Sequence, residues 1–194
     1  GTLHGPERVV TTGTNQAMYY DANGADYIST PSFAIPNTGI LTIEAWMKSN
    51  PYTNQQSLVG ESNSSVTIGL INIRRVANSN SLYFQYVNGD NLLFFPATNV
   101  FTSLDNQWVH IAVVCDYANK VGKWYRNGVQ FGTDATLTGT PLFPSTNRVK
   151  YIGAYGSPLN NIQDGSLDEV RIYNRGLSAE EIMSIYNQTK GKYE

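Results

Sequence analysis

Residues 165–178 read GSLDEVRIYNRGLS, and this stretch decides the class of the fold. Apolar and polar side chains alternate over its first part, which is the period of a β-strand with one buried face. A tight turn follows at residues 174–176. Ser178 and Glu181 then make a capping box, because the side chain of each can bond the backbone amide of the other. The pattern predicts a strand and then a short helix over residues 179–187, which covers a sheet margin whose backbone groups would otherwise be unpaired.

Strand patterns recur along the whole chain. Residues 41–48 read LTIEAWMK and alternate in the same way. Residues 108–115 and 123–126 flank a polar loop and predict two paired strands. Asn127 and Gly128 then predict a type I′ hairpin turn, because both residues accept positive φ cheaply. Further strands are predicted at residues 16–20, 27–28, 57–60, 66–73, 81–87, 92–95, 129–131, 148–153 and 166–173.

The chain has 194 residues, a length that one all-β domain fills. We therefore predict a single domain over residues 1–194, with its core at about residues 16–188. Residues 1–14 are polar and weakly patterned, so they predict an arm or an edge strand. The chain starts at Gly1 rather than at Met. Removal of an export signal and excision from a longer protein both give such a start, and both predict a module of something larger.

Charge and cysteine content exclude several classes of function. The formal net charge is −2 and the 13 lysines and arginines are scattered, so the sequence has no basic stripe for nucleic acid. No apolar run approaches the ~18 residues of a membrane span, which argues against membrane insertion. Cys115 is the single cysteine and lies in an apolar run, so it is predicted to be a small buried hydrophobe.

Three segments, taken together, have a counterpart in a known family. Residues 20–28 read YDANGADYI, and residues 41–48 are followed at long range by WVHIA at 108–112 and YRNG at 125–128. With the closing stretch at 165–178, they resemble the laminin-G-like, concanavalin A-like lectin/glucanase superfamily of many secreted microbial proteins. The resemblance implies an all-β, two-sheet antiparallel jelly-roll sandwich with one short C-terminal helix. It also implies an extracellular or cell-surface location.

The same resemblance implies a structural calcium ion at the rim. Asp21 and Asp26 flank one turn and Asp168 opens the closing strand, so these three are the predicted metal ligands. Calcium takes six to eight hard oxygens, and a turn rich in Gly and Asn supplies carbonyls beside the carboxylates. Asp164 and Gln163, just before Asp168, are possible additional ligands. The alternative is that Asp21 and Asp26 form Asx turns and Asp168 caps a strand end.

The sequence does not contain the groups that catalysis on this fold requires. A retaining glycosidase needs two carboxyls about 5 Å apart. Asp168 and Glu169 are adjacent, so they point to opposite faces of their strand. Glu44 and Arg171 are predicted to pair across the sheet, and His110 to pack on it. We therefore predict that the chain is not an enzyme, and glycan cleavage is the least favoured function.

The remaining candidates suit sugar binding, in which aromatic rings stack on sugars and amides fix the hydroxyls. Tyr155 shares a loop with Asn160, Asn161 and Gln163, and these four are the predicted ligand-binding residues. Other aromatic residues predicted to lie off the core are Tyr52, Tyr117 and Trp124. The sequence thus predicts a non-catalytic extracellular module that binds a polysaccharide or glycan, with calcium bracing its loops.

A protein-binding or structural adhesion module is the alternative function. The surface discriminates between the two. A flat apolar patch favours a protein partner, whereas a polar groove lined by Tyr or Trp favours a glycan.

Overall fold

The computed structural model describes residues 2–4, 9–12, 15–21, 26–32, 39–50, 54–61, 68–88, 91–137, 148–155 and 163–194. Within these ranges the chain forms fourteen strands, one α-helix and one 3-10 turn. Their bounds are β1 (Thr2–His4), β2 (Val9–Thr12), β3 (Asn15–Tyr20), β4 (Tyr27–Ser29), β5 (Ile40–Ser49), β6 (Gln56–Glu61), β7 (Ile68–Arg75), β8 (Leu82–Asn88), β9 (Asn91–Ala97), β10 (Trp108–Asp116), β11 (Val121–Arg126), β12 (Val129–Thr136), β13 (Lys150–Ile152), β14 (Gly165–Tyr173), α1 (Ala179–Thr189) and the 3-10 turn (Lys190–Lys192).

The described strands form two seven-stranded antiparallel sheets. Sheet I has the order β1-β4-β13-β6-β7-β8-β9, and sheet II has the order β12-β11-β10-β5-β14-β3-β2. Several neighbours are distant in sequence, since β14 lies between β3 and β5, and β13 lies between β4 and β6. The structure confirms the predicted fold class, a jelly-roll-like two-sheet sandwich with one short C-terminal helix.

The core lies between the two sheets, where strand alternation directs every second side chain. On β5, Leu41, Ile43, Ala45 and Met47 are at most 1% exposed, so the predicted apolar face is the inner one. Sheet I contributes the facing side chains Ile71, Ile73, Leu82 and Phe84. Cys115 is buried in the same core, as predicted, and burial raises the pKa of its thiol.

The closing strand β14 is less regular than its sequence pattern predicts. Its pairing with β5 shifts between Asp168 and Arg171, which is a β-bulge. Glu169 lies inside the bulge with φ of +51°, in the left-handed region. The amide of Glu169 donates to Asp168 Oδ1 at 2.7 Å, so a local side-chain bond supports this conformation.

The capped helix forms as predicted, although it ends at Thr189 rather than at residue 187. Ser178 Oγ accepts from the amide of Glu181 at 3.2 Å, and Glu181 Oε2 accepts from the amide of Ser178 at 2.8 Å. The expectation that α1 covers a sheet margin is wrong. Because β10 is apolar on its outward side too, the helix lies across the outer face of sheet II, in a cluster of Ala112, Val114, Tyr125, Leu177 and Ile182.

The first residues and the predicted hairpin complete the sandwich. β1 pairs with β4 at the edge of sheet I, and β2 pairs with β3 at the edge of sheet II. The N-terminal segment therefore supplies edge strands to both sheets. Asn127 and Gly128 have φ of +51° and +80°, which confirms the type I′ turn between β11 and β12. The described helix is too short to cross a membrane.

Candidate functional site

The predicted sugar-binding loop is only partly described. Asn160 and Asn161 lie outside the described residues. Gln163 is 0% exposed. Its backbone N–H donates to Gly153 O at 2.8 Å, and its side-chain Nε2 donates to Asp164 O at 3.3 Å. Gln163 Oε1 is buried and has no hydrogen bond, so the ligand-binding role of Gln163 stays a prediction. Tyr155 is half-buried and remains available at the surface.

Two of the other predicted loop aromatics are core residues. Tyr117 is 2% exposed and Trp124 is 4% exposed, and both belong to the main core cluster. Trp124 is opposite Val113 in the pairing of β10 with β11, so it shares the inner face with that core valine. The prediction that both lie off the core is wrong. Tyr52 lies outside the described residues.

Asp21 follows the last residue of β3 and Asp26 precedes the first residue of β4, whereas Asp168 lies within β14, whose Gly165 is opposite Tyr20. Asp26 Oδ2 accepts a hydrogen bond from the amide of Asp21 at 3.0 Å, across the turn. Asp168 Oδ1 accepts from Glu169, and Asp168 Oδ2 accepts from the hydroxyl of Tyr193 at 2.5 Å. Burial raises the pKa of Tyr20, and the charges of Asp168 and Asp26 raise it further. The pKa of Tyr20 is therefore raised by both carboxylates.

Calcium binding at Asp168 stays a prediction. Both oxygens of this carboxylate accept from N–H or O–H groups, and each keeps a lone pair that a metal ion can use. In the part of the chain that the structure describes, no three His, Cys, Asp or Glu side chains form a cluster suited to a metal ion. The bond from the Asp21 amide to Asp26 Oδ2 spans five residues, so it is not the two-residue contact of an Asx turn. Residues 22–25, which would provide the carbonyls, lie outside the described ranges.

Sheet I carries a second set of polar side chains on its outer face, away from the core. Asn72 on β7 is opposite Gly60 on β6 and Gln85 on β8. One step along the same face, Arg74 is opposite Tyr83. Strand alternation places these groups outward, because Ile71, Ile73, Leu82 and Phe84 occupy the intervening inward positions.

The two amides of this face are buried and lack hydrogen-bond partners. Asn72 is 1% exposed and Gln85 is 6% exposed. Asn72 Nδ2, Asn72 Oδ1 and Gln85 Oε1 have no hydrogen bond among the described contacts. An unpaired buried polar group costs about 1–3 kcal/mol. Two such amides side by side are therefore a candidate for ligand contact, although Glu44 Oε2, His110 Nδ1 and Gln163 Oε1 are also buried without a hydrogen bond.

Gly60 brings Tyr155 over the same face. A Cβ on Gly60 would lie 2.8 Å from the Cβ of Tyr155 and 2.7 Å from the carbonyl oxygen of Ala154. Only glycine allows the β6 backbone to pass so closely beneath this ring. Burial raises the pKa of Tyr155, the positive charge of Arg74 lowers it, and the charge of Glu61 raises it.

Arg74 completes the set. Its Nη1 donates to Gln55 Oε1 at 2.5 Å, and burial lowers the pKa of its guanidinium, with the phenols of Tyr155 and Tyr83 acting in the opposite direction. The outer face of sheet I thus holds two amides, two phenols and one guanidinium within a small area. We call the five side chains Asn72, Arg74, Tyr83, Gln85 and Tyr155 the amide face.

Sheet II has a contrasting outer face centred on Glu44, whose side chain is fully buried. Glu44 Oε1 accepts from Arg171 at 3.0 Å and from the hydroxyl of Tyr173 at 2.8 Å. His110 Nε2 lies 3.5 Å from Glu44 Oε2. Burial alone would raise the pKa of Glu44, but the neighbouring His110 and the hydrogen bonds from Tyr173 and Arg171 outweigh it and hold the pKa below 4.5. The predicted pair of Glu44 with Arg171 and the packed position of His110 are both confirmed.

The C-terminal segment covers this second face. Trp46 Nε1 donates to Thr189 Oγ1 at 2.9 Å. The Trp46 ring stacks on Tyr186 at 5.7 Å and on Tyr193 at 4.3 Å between ring centres. We call Glu44, Trp46, His110, Arg171 and Tyr173 the helix face. Its polar groups serve the fold, and Glu44 has no open cleft.

The sequence analysis missed Asn72 and Gln85. Both occupy outward positions of predicted strands, where a polar residue is ordinary. What distinguishes Asn72 and Gln85 is their burial next to Gly60. Their position beside this glycine depends on the register of β6, β7 and β8. Strand register is not readable from alternation alone.

Comparisons with known proteins agree with this architecture. The sequence matches the concanavalin A-like lectin/glucanases superfamily over residues 22–183. A search of curated protein sequences finds no relative. Among solved structures, the chain is similar to the binding domain of Paraclostridial Mosquitocidal Protein 1, with 16% identity, a TM-score of 0.70, and coverage of 96% of this chain and 47% of that one. It is also similar to the botulinum neurotoxin serotype D binding domain, with 14% identity, a TM-score of 0.70, and coverage of 97% and 47%.

A third similar structure is domain 4 of AbnA, a GH43 extracellular arabinanase from Geobacillus stearothermophilus, in complex with arabinotriose. It shares 17% identity at a TM-score of 0.69, with coverage of 96% of this chain and 82% of that one. The chain spans about half the length of the two toxin binding domains. At these identities the likeness shows the fold alone. The family match, however, spans most of the sequence, so the chain belongs to the concanavalin A-like lectin/glucanases superfamily.

Proposed function

We propose that this chain is a non-catalytic carbohydrate-binding module that holds a glycan on the amide face. The observation that carries the proposal is a pair of buried amides on neighbouring strands, in which Asn72 Nδ2, Asn72 Oδ1 and Gln85 Oε1 lack hydrogen-bond partners among the described residues. The domain of an extracellular arabinanase in complex with arabinotriose shares this fold, which supports a glycan as ligand and an extracellular location.

The chemistry of the amide face suits sugars. Each sugar hydroxyl both donates and accepts hydrogen bonds, and each side-chain amide offers both functions as well. Asn72 and Gln85 are directly opposite on neighbouring strands, so their Cα atoms lie roughly 5 Å apart. Tyr155 adds a ring at the margin of the same area, and apolar sugar faces stack on such rings. One sugar ring can engage both amides and the phenol ring together.

The loop predicted from the sequence extends this proposal. Tyr155 stacks on the sugar, and Asn160 and Asn161 capture further hydroxyls from the same loop. The buried side chain of Gln163, which donates to the carbonyl of Asp164, leaves its Oε1 for a ligand hydroxyl.

The absence of catalysis is part of the proposal. Glu44 is buried beneath α1 and already bonded to Arg171 and Tyr173. Glu169 pairs with Arg171 and Lys192, away from the amide face. These acidic groups have structural roles, and a hydrolase needs two carboxyls at the sugar. Two of the similar structures are named as binding domains, which also supports a binding role.

A glycan array tests the proposal most directly. We expect the purified chain to bind at least one glycan class, and the double variant Asn72→Ala, Gln85→Ala to lose that signal. The matched control is Asn187→Ala, Gln188→Ala, which removes the same two residue types from the exposed side of α1. Equal binding by all three proteins would remove the amide face from the site.

Calcium remains a proposal for Asp21, Asp26 and Asp168, whose carboxylate oxygens keep lone pairs for a metal beside the hydrogen bonds that they accept. If calcium binds these carboxylates, its addition after chelation should raise the melting temperature, since a ligand that binds only the folded state stabilises it. The variant Asp26→Asn should abolish that increase. An unchanged melting temperature in the wild type would leave their hydrogen bonds as the role of these residues.

A protein-binding module is the second candidate. Val129 is 58% exposed and is the one large hydrophobic side chain so exposed among the described residues. It lies in a groove between β12 and α1, together with Gly128, Gln130 and Met183. If this groove is the site, Val129→Asp should abolish partner binding, and the amide-face variants should leave it unchanged.

A further inference from the structure

We infer that a groove on the outer side of sheet II is a second binding site, which takes a lysine side chain of a partner protein. The groove lies between the start of α1 and the strands β10, β11 and β12, and its volume of about 640 Å³ is in the range of ligand sites. We call it the Tyr125 groove. The polar side chains that sheet II and its turns contribute to it are Asp116, Asn119, Lys123, Tyr125, Gln130 and Asp134. The groove is on the opposite side of the sandwich from the amide face, so this inference does not depend on the proposed function.

The hydroxyl of Tyr125 is the first support. Tyr125 is 4% exposed, and its ring packs with Ala112, Val114 and Leu177 in the cluster under α1. Its side chain nevertheless lines the groove, and its hydroxyl makes no hydrogen bond to the described residues. Burial raises the pKa of this phenol, so it keeps its proton and can both donate and accept. A polar side chain that is almost completely buried, unpaired and directed into a groove is suited to contact a ligand.

The other hydrogen-bonding groups of the groove are the second support, because its donors are used and its acceptors are not. Asn119 Nδ2 donates to Asp116 Oδ2 at 2.7 Å. Gln130 Nε2 donates to Asp134 Oδ1 at 2.7 Å, and Lys123 Nζ lies 3.6 Å from Asp134 Oδ2. The side-chain carbonyl oxygens of both amides have no hydrogen bond among the described residues, and the carboxylates keep lone pairs. The groove therefore offers oxygen atoms to a ligand that donates hydrogen bonds.

The charge of the groove is the third support, and it favours a cation among such donors. Asp116 and Asp134 line the groove, with Lys123 as the one cation among the described lining residues. Glu180 adds a third carboxylate at the margin, in the first turn of α1. Asp116 bonds only neutral amide groups in the described part of the chain. Lys120 is exposed in the nearby turn and does not line the groove. Carboxylates therefore outnumber cations where the ligand lies.

The apolar part of the groove determines which cation fits. Its floor contains Val114, Tyr125 and Leu177, which suit the four-carbon stem of a lysine while the ammonium reaches the carboxylates. At Gln130 the groove meets a second one that holds Val129, whose side chain is 58% exposed. An exposed apolar side chain beside the cation site favours a protein over a free amine. The partner therefore presents a lysine with an apolar residue next to it.

The test is an NMR titration of the purified chain with short synthetic peptides. Each peptide carries one lysine flanked by leucines, and its matched peptide carries acetyl-lysine, which keeps the stem and loses the charge. We expect the lysine peptide to shift the side-chain NH₂ signals of Asn119 and Gln130, while those of Asn72 and Gln85 stay in place. The acetylated peptide should bind at least about tenfold more weakly. Raised salt should reduce that difference, because it screens the charges.

Two variants assign the contact to the groove. Tyr125→Phe removes only the unpaired hydroxyl and Asp116→Asn removes one charge, so each should weaken binding of the lysine peptide by about fivefold or more. Tyr151→Phe, the matched control, makes the same change as Tyr125→Phe on sheet I and should bind as the wild type does. Melting temperatures confirm that each variant is folded.

Three results would overturn the inference. The first is equal binding of the lysine and acetyl-lysine peptides, or no shift at millimolar peptide. The second is binding that is unchanged in both Tyr125→Phe and Asp116→Asn. The third is a shift of the same signals by glucosamine and not by the lysine peptides, which would assign the groove to an amino sugar. All three leave the proposed function of the amide face intact, because that face is tested by Asn72→Ala, Gln85→Ala.

Discussion

The two outer faces of the sandwich differ in how their buried polar groups are satisfied. On the helix face, Glu44 Oε1 accepts hydrogen bonds from Arg171 and Tyr173, whereas Glu44 Oε2 and His110 Nδ1 have none. On the amide face, Asn72 and Gln85 are buried, and Asn72 Nδ2, Asn72 Oδ1 and Gln85 Oε1 make no hydrogen bond. Burial of a polar group is therefore not in itself a sign of function. Whether the fold itself satisfies that group is the more informative observation.

The difference has opposite energetic consequences. The helix face contributes to stability, because its charge is bonded and α1 packs over it. The amide face costs stability in the free protein and recovers that cost when a ligand supplies the missing bonds. Mutations on the helix face should therefore change stability, and mutations on the amide face should change glycan affinity. Four predictions are given in order of the expected effect, the largest first.

The largest effect is expected from Glu44→Ala. It removes the acceptor for Arg171 and Tyr173, and we expect the free energy of unfolding to fall by about 3 kcal/mol. The loss stays near this value because the Arg171 side chain is 36% exposed and can regain water. Chemical denaturation measures the change. The folded fraction should bind glycan as the wild type does, and a loss below about 1 kcal/mol would show that Glu44 is not a structural anchor.

The double variant Asn72→Ala, Gln85→Ala should lose glycan affinity and keep its stability. We expect glycan affinity to fall by a factor of roughly ten or more, which is about 1.4 kcal/mol or more. Its free energy of unfolding should stay within about 1 kcal/mol of the wild-type value, or rise, because the deleted atoms had no partners. Isothermal titration and chemical denaturation on the same samples give both values. A large loss of stability would assign these amides to the fold.

Tyr193→Phe tests the contact that occupies Asp168. It removes one hydroxyl and leaves the ring stacked on Trp46 and Trp108. Since a hydrogen bond to a charged group contributes about 1.5–3 kcal/mol, we expect a loss near the lower value, because water can replace the hydroxyl at this half-buried carboxylate. Thermal unfolding with and without calcium makes the measurement. If calcium stabilised the variant and not the wild type, the tyrosine and the ion would share this carboxylate.

The smallest effect concerns pH. The pKa of Glu44 in the folded protein lies below its ordinary 4.5, so folding favours the ionised form. The stability that this contributes is present above pH 4.5 and is lost as the pH falls through the folded pKa. In Glu44→Gln, we expect that part of the decline in stability below pH 4.5 to disappear. Parallel profiles of unfolding free energy against pH for both proteins would contradict this assignment.

The sequence was sufficient for the features that rest on local pattern. Alternation identified the inner face of β5, and the capping box located the start of α1 at Ser178. The pair of Glu44 with Arg171 was also predictable, because each charge occupies the outward side of its strand. In each case the relevant residues lie within one element, or on two strands whose faces the period of two assigns.

The sequence was insufficient where position depends on long-range register. Trp124 has loop residues nearby in sequence, yet it shares the inner face with Val113 across β10 and β11. Asn72 and Gln85 became candidates only once β6, β7 and β8 were aligned and Gly60 was found beside them. A one-residue slip in β7 or β8 would turn the amide on that strand inward, and alternation alone does not fix that choice.

The most direct test of the amide face is an NMR titration with the best-binding glycan, following side-chain NH₂ signals. We predict that the signals of Asn72 and Gln85 shift in step with the glycan concentration, while that of the exposed Asn187 on α1 stays in place. Shifts confined to the groove around Val129, with Asn72 and Gln85 unmoved, would contradict the account and place the ligand on the other side of the sandwich.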